Sequence, residues 1–241
     1  DSPDVWIKSE DWAACGDDSL RMEDFAGKDA YLGLDLATLH DIAALDIIIP
    51  PQPGVEKFTC FSLFFCPPTK INGYKRTDQV DYREWKEKGH IIATSESKKT
   101  IDYDRILMEV EKIVKILNVK CVGYDPHNYD KIIPSLEDQY INCMEYRQVA
   151  SWMHTPTKKI EELVTNGEMV HDNNPAMAWM IGNVVIMRDT NDNMKIDKKK
   201  SMSKVDGPVA RAIALGTYLT KNPDDDMITV ESLGILSVDK D

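Results

Sequence analysis

The chain has 241 residues, 42% of them apolar and 29% charged, enough to bury a sizeable core and typical of a globular protein. No stretch approaches the roughly 20 consecutive apolar residues of a membrane span, and the best candidate, "ALDIIIP", holds an aspartate and ends on a proline. A net charge of −12 argues against a generally adhesive nucleic-acid binder, and five cysteines without a C-x-x-C pair and five scattered histidines argue against a disulfide framework or a zinc site.

The opening, "DSPDVWIKSEDW", has neither a Met nor a basic-then-apolar leader and reads as the middle of a longer protein. At 30–38, "AYLGLDLAT" alternates, with Leu32, Leu34 and Leu36 on one face and Tyr31, Gly33 and Asp35 on the other. That pattern predicts a strand from which Asp35 projects to one side of a sheet. "AALDIIIP" and "KFTCFSLFFCP" are two further β-rich runs around the turn-like "PQPG", so three successive strands predict an antiparallel meander. In "TIDYDRILMEVEKIVKIL", Ile106, Val110, Ile113, Val114 and Leu117 recur at helical spacing, with Thr100, Asp102 and Asp104 supplying a cap and dipole-compatible acids.

"KCVGYDP" follows as a short buried strand ending on Asp125, with Pro126 stopping the ladder. "NYDKIIPSLEDQY" predicts a helix around Pro134, "INCMEYRQV" a strand, and "TPTKKIEELVTNG" a helix closed by Gly167. "NNPAMAWMIGNVVIMRD" mixes both periods and does not divide. Strands first, then helix and strand in alternation, predict one domain built on a mixed sheet with helices packed on its faces.

The last helix is predicted in "SKVDGPVARAIALGTYL", where Val209, Ala212, Ile213, Gly216 and Leu219 keep helical spacing and leave Arg211 to solvent. Asp206 at its start reads as an N-cap before Gly207 and Pro208, or as an acid on the inward face. Just upstream, "MKIDKKKSMSK" concentrates Lys195, Lys198, Lys199, Lys200 and Lys204, an ordinary solvated loop by composition but one that leads into Asp206. Residues 222–241 carry six acids against Lys240 alone, a net of −5, and read as a loose acidic tail.

Asp35 in the first strand, Asp125 at the end of a later one and Asp206 at the head of the last helix each have an ordinary structural reading. If the two strands are neighbours, the acids converge at one end of the sheet. Like charges that close require cations or raised pKa values, and hard divalent ions favour such oxygen ligands. The matching chemistry is two-metal phosphoryl hydrolysis.

The ordered stretches "YLGLDLATLHDIAAL", "WKEKGHIIATSESKKTIDYDRI", "VGYDPHNYDKIIPSLE", "NNPAMAWMIGNVVI" and "KVDGPVARAIAL" resemble the nuclease domain of tailed-bacteriophage terminase large subunits. The resemblance implies a ribonuclease H-like α/β fold, a three-strand antiparallel meander extended by parallel strands with helices on both faces. It implies a divalent-metal-dependent endonuclease of DNA packaging that cuts double-stranded concatemers, with two Mg²⁺ or Mn²⁺ held by Asp35, Asp125 and Asp206. Asp41 matches an additional acid of the first loop, and Lys195, Lys198, Lys199, Lys200 and Lys204 are expected on DNA phosphates.

The implied partners are double-stranded DNA, the packaging ATPase domain of the same parent protein, a small terminase subunit and the portal or procapsid. The implied location is the cytoplasm of the infected host, away from membranes. No G-x-x-x-x-G-K-[ST] occurs, since the one "GK", Gly27–Lys28, is followed by Asp29, so no ATP site is expected here. The expected partition is 1–29 as a connection from the ATPase domain, 30–221 as the nuclease domain and 222–241 as the tail. A junction resolvase or transposase-like core, or a silent protein-binding module of this fold, remain the alternatives.

Overall fold

The computed structural model describes residues 5–36, 40–72, 80–95, 98–126, 129 and 132–222. Its centre is the predicted meander: β1 (Asp29–Asp35) pairs antiparallel with β2 (Ala43–Ile49), and β2 with β3 (Phe58–Cys66). A short α1 (Ser9–Ala14) and a 3₁₀ turn (Met22–Phe25) precede it, and α2 (Pro68–Ile71) and α3 (Tyr82–Glu87) follow. Next come β4 (Ile92–Ala93), α4 (Tyr103–Ile116), β5 (Asn118–Tyr124), α5 (Ile133–Glu137) and β6 (Cys143–Glu145). The remainder is α6 (Ala150–Thr165), β7 (Met169–His171), α7 (Pro175–Asn183), β8 (Ile186–Arg188), β9 (Met194–Ile196) and α8 (Asp206–Lys221). The main sheet runs β4-β3-β2-β1-β5-β6, with β7 parallel to the other end of β3, and β8–β9 form a separate hairpin.

β5 joins β1 in parallel and β6 joins β5 in parallel, so the sheet is mixed as predicted. Both faces are covered, which is why nearly every residue of β1 to β3 is buried. Leu32, Leu34, Leu45, Ile47 and Val122 pack with Ile106, Val110 and Ile113 of α4 on one face. Tyr31, Ala44, Ile48 and Cys121 pack with α6, α7 and α8 on the other.

α8 crosses the middle of that second face. It approaches so closely that a Cβ on Gly33 would stand 2.1 Å from the carbonyl oxygen of Ala210, and one on Gly123 would stand 2.0 Å from Thr217 Oγ1. Only the hydrogens of these glycines leave room for a helix at such a distance.

Three expectations are corrected here. Arg211 does not face solvent: its side chain is completely buried, because α8 is enclosed on all sides. Its Nε and Nη2 donate to Asp46 Oδ1 and Oδ2 at 3.0 and 3.1 Å, Nη2 also donates to Ser62 Oγ at 3.1 Å, and the guanidinium lies over the Trp12 ring. At the start of α4, Asp102 holds the cap position without a side-chain cap bond and pairs instead with Lys98 at 2.7 Å. The helix predicted from Thr155 begins earlier, at Ala150, with Pro156 inside it. Proline offers no N–H to the carbonyl of Trp152 four residues back, and the Tyr146 hydroxyl donates to that oxygen at 2.8 Å.

The segment before β1, expected as an interdomain connection, is packed on the core through Trp6, Ile7, Trp12 and Cys15. Its Gly16 bridges to His171 of β7. The acidic tail beyond Asn222 lies outside the described residues. No helix among the described residues is long and apolar enough to cross a membrane.

Candidate active site

β1 delivers Asp35 and β5 delivers Asp125 to the same edge of the sheet. Gly33 is paired with Gly123 and Leu34 with Tyr124, so the next step of the parallel register sets Asp125 beside Asp35. Side chains two residues apart share a face. Asp35 is therefore on the side of Gly33, the side on which α8 lies, and the close approach of α8 brings its first residue, Asp206, to the same end.

One cation of the chain itself is bound to Asp35 and feels the charge of all three acids. Lys198 Nζ stands 2.8 and 2.6 Å from Asp35 Oδ1 and Oδ2, and Gln148 Nε2 donates to Oδ1 at 3.0 Å. Burial works against the Lys198 ammonium, but Asp35, Asp206 and Asp125 outweigh it and hold its pKa above the ordinary lysine value. Asp206 is pushed up to about 7, first by burial and then by the charge of Asp35, with Lys198 acting in the opposite direction. Its Oδ2 is buried with no hydrogen-bond partner among the described residues.

The cap reading of Asp206 is also settled by geometry. α8 includes Asp206 as its first residue, the cap position belongs to Val205, and no side chain caps it.

Asp41, whose charge also helps to raise the pKa of Asp206, has cations of its own. Lys70 Nζ is 3.0 Å from Oδ1 and Lys204 Nζ contacts Oδ2, while Ile42 N donates to Oδ1 at 2.9 Å. Burial raises the Asp41 pKa, but these partners, Lys204 foremost, hold it below the usual carboxylate range.

The lysine run is divided by a well-fixed loop. Asp197 Oδ1 accepts from the backbone N–H groups of Lys199 and Lys200, Ser201 Oγ donates to Asp197 O and accepts from Val185 N, and Met202 N donates to Asn183 O. This turn sends Lys198 to Asp35 and Lys204 to Asp41, and leaves Lys199 and Lys200 exposed beside Met202, itself 75% exposed. Lys195 Nζ donates to the backbone oxygen of Gln148 at 3.2 Å. Gln148 is the site residue that sequence reasoning missed, since it follows a three-residue strand and carries no motif.

Among the described residues, no group of three or more His, Cys, Asp or Glu side chains is drawn together as a metal site. The donor set nevertheless suits a hard divalent ion: three carboxylates whose charges act on one ammonium, one of them bound to it directly, and a buried oxygen of Asp206 without a partner.

A mixed sheet whose central acid-bearing strands are crossed by a helix carrying a third acid is the ribonuclease H-like arrangement. The family described as terminase large subunit, endonuclease domain, matches residues 1–222, and the chain belongs to that family. It is similar to Protein YmfN of Escherichia coli (strain K12), 29% identical over 236 residues that cover 94% of this chain and 51% of the relative. It is also similar to the large terminase subunit of Enterobacteria phage HK97, 24% identical over 213 residues, covering 88% of this chain and 41% of that protein. The crystal structure of the HK97 large terminase superposes with a TM-score of 0.77 at 24% identity, covering 90% of this chain and 43% of that one. The chain thus spans about half the length of the relatives it matches.

Proposed function

We propose that this chain is the metal-dependent endonuclease of a DNA-packaging terminase, cutting double-stranded DNA at Asp35, Asp125 and Asp206. The observation that supports this reading is the bond from Lys198 to both oxygens of Asp35, with the charges of Asp206 and Asp125 acting on the same ammonium and Asp206 Oδ2 buried without a partner. Two Mg²⁺ or Mn²⁺ ions, when bound, would supply the charge that activates water and stabilises the leaving oxygen of a phosphodiester. Asp35, on the central strand, would hold them together with Asp125 and Asp206. Gln148 orients Asp35 through Oδ1, and burial together with the charge of Asp35 raises the affinity of Asp206 for a proton, which a divalent ion would displace.

Lys199 and Lys200, on the outward side of the loop, are assigned to DNA phosphates, which give affinity without sequence reading. Lys195, Lys198 and Lys204 join them only once their present partners are released. Site choice then falls to a small terminase subunit, and DNA is delivered by the packaging ATPase domain of the parent protein, to which residues 1–29 lead, at a portal or procapsid. Residues 30–221 form the nuclease unit in this partition and 222–241 its acidic tail. Membership of the terminase family favours this reading over a junction resolvase.

The test is cleavage of supercoiled plasmid by the purified chain. Nicking and linearisation are expected with Mn²⁺ or Mg²⁺ and none in excess EDTA. Cleavage that persists in EDTA refutes the metal-dependent reading.

A further inference from the structure

We propose that Lys198 is the resident counter-ion of the unloaded centre, a side-chain cation that competes with the divalent ions for Asp35. The inference rests on the metal-dependent reading above and adds a residue that sets when metal enters. Three observations carry it.

The first is the geometry at Asp35. Both carboxylate oxygens are taken by the same ammonium, at 2.8 and 2.6 Å, and Oδ2 has Lys198 as its hydrogen-bond partner among the described residues. A divalent ion held at Asp35 would need lone pairs that the ammonium now occupies on both oxygens, so Lys198 and metal compete for this carboxylate. Gln148 does not share this conflict, because it binds Oδ1 alone and carries no charge.

The second is charge. Asp35 is 5% exposed while Lys198 keeps 38% of its side chain accessible. The pair therefore joins a buried anion to a cation that reaches in from the rim, and Asp206 and Asp125 stand within electrostatic reach of the same ammonium. Without a cation the charge of Asp35 acts on Asp206 unopposed; with Lys198 one positive charge offsets part of that repulsion. A divalent ion supplies more charge in the same place.

The third is the mounting. The backbone around Lys198 is pinned by Asp197 to the N–H groups of Lys199 and Lys200, and by Ser201 to Asp197 and Val185. The loop need not move for Lys198 to leave. Rotation of its exposed stem is enough, and it carries the ammonium to the rim that holds Lys199 and Lys200, where a DNA phosphate is its next partner. The exchange is balanced: the metal takes the carboxylates and the freed cation meets the anionic substrate.

Exclusive binding of two cations at one carboxylate is a linkage, and linked sites shift each other's affinity by about 5–150-fold. The experiment is a calorimetric titration of the whole chain with MnCl₂, without DNA, for wild type, Lys198→Met and Lys200→Met. Methionine keeps an unbranched stem without the charge, and Lys200→Met removes an equal charge from the same loop without touching a carboxylate. Lys198→Met is expected to bind Mn²⁺ at least about 5-fold more tightly than wild type, and Lys200→Met to change affinity by less than about half that factor. The metal-free Lys198→Met protein is expected to melt lower than wild type and to gain more on adding Mn²⁺. Folding of that variant only when Mn²⁺ is present would support the same conclusion. Equal or weaker Mn²⁺ binding by a folded Lys198→Met, or an equal gain in Lys200→Met, overturns the counter-ion role while leaving the metal centre intact. Absence of Mn²⁺ binding in all three proteins overturns the metal-dependent reading itself, and this inference with it.

Discussion

A single buried histidine shows how closely the side chains behind the site are specified. His171 stacks on Trp12 with ring centroids 4.1 Å apart, its Nε2 lies 2.9 Å from Trp12 O, and its Nδ1 accepts from Asn173 N at 3.1 Å. Those partners call for a neutral ring with the proton on Nε2. Burial, and then the nearby Arg211, pull its pKa from 6.5 down to about 4. Between those values the unfolded chain binds a proton that the native ring refuses, so this residue's contribution to stability falls as the pH drops through that window. Asp46 opposes it: burial pushes that carboxyl up to about 6, so the native state gains the proton first and stability rises as the pH drops from about 6 towards 3.8. Arg211, Asp172 and Cys60 share the same enclosure, and Arg211 stays charged throughout. His171→Gln isolates the histidine. Measured by denaturant unfolding, the variant should gain on wild type by on the order of 3 kcal/mol between pH 7 and pH 4. A difference that does not change with pH contradicts the neutral, buried ring.

At the scale of elements, the site depends on how near α8 comes to β1 and β5. The two strands share a G-x-D ending, Gly33-Leu34-Asp35 and Gly123-Tyr124-Asp125, and the two glycines are register partners. Each glycine admits the helix and each aspartate, two residues on, shares its face. Gly33→Ala puts a methyl 2.1 Å from the Ala210 carbonyl oxygen and 2.5 Å from Ala214 N, backbone atoms that a side-chain rotation cannot clear. The expected cost is about 1–3 kcal/mol or more of stability, with loss of activity beyond what the stability change explains because Asp206 moves with the helix. A variant that melts like wild type and stays fully active would show that the helix is not seated there.

Much of this was legible in the sequence. The meander, α4, β5 and α8 follow from periods of two and of 3.6, and Asp35, Asp125 and Asp206 from their places at the ends of those elements. Other features had no local signal. β7, β8 and β9 have three residues each, too few to display a period, and exist because β3 and the turn at Asp189–Asn193 offer them partners. Pro156 concealed the first turns of α6, since what permits a proline there is a hydroxyl from Tyr146, distant from any helical pattern. Arg211 read as a solvent residue because one charge on an apolar helix ordinarily marks the wet face. Here it marks an internal partner, Asp46, on a strand 165 residues away in sequence.

Over the whole molecule the charge is arranged rather than merely negative. The chain carries −12, yet the loop beside the acids presents Lys199 and Lys200 outward and spends Lys198 and Lys204 on Asp35 and Asp41. Replacing Lys199 and Lys200 with Ala should weaken DNA binding and lower the slope of log affinity against log salt by up to about 1.8, about 0.9 per lost phosphate contact. The melting temperature should hardly change, because both side chains are exposed. An unchanged salt slope would make the pair a solvated loop and nothing more.

The proposed metal centre stands or falls with the carboxylate of Asp206, whose Oδ2 is buried without a partner and which caps nothing. Asparagine has nearly its shape and none of its charge, so Asp206→Asn removes repulsion against Asp35 without opening a cavity. The most direct measurement is plasmid cleavage by Asp206→Asn at saturating Mn²⁺, run beside its metal-free thermal melt. The variant should melt at or above wild type and cleave at least about 100-fold more slowly, because several kcal/mol of charge stabilisation depends on an anionic ligand. Wild-type cleavage by that folded variant would contradict a metal centre at Asp35, Asp125 and Asp206.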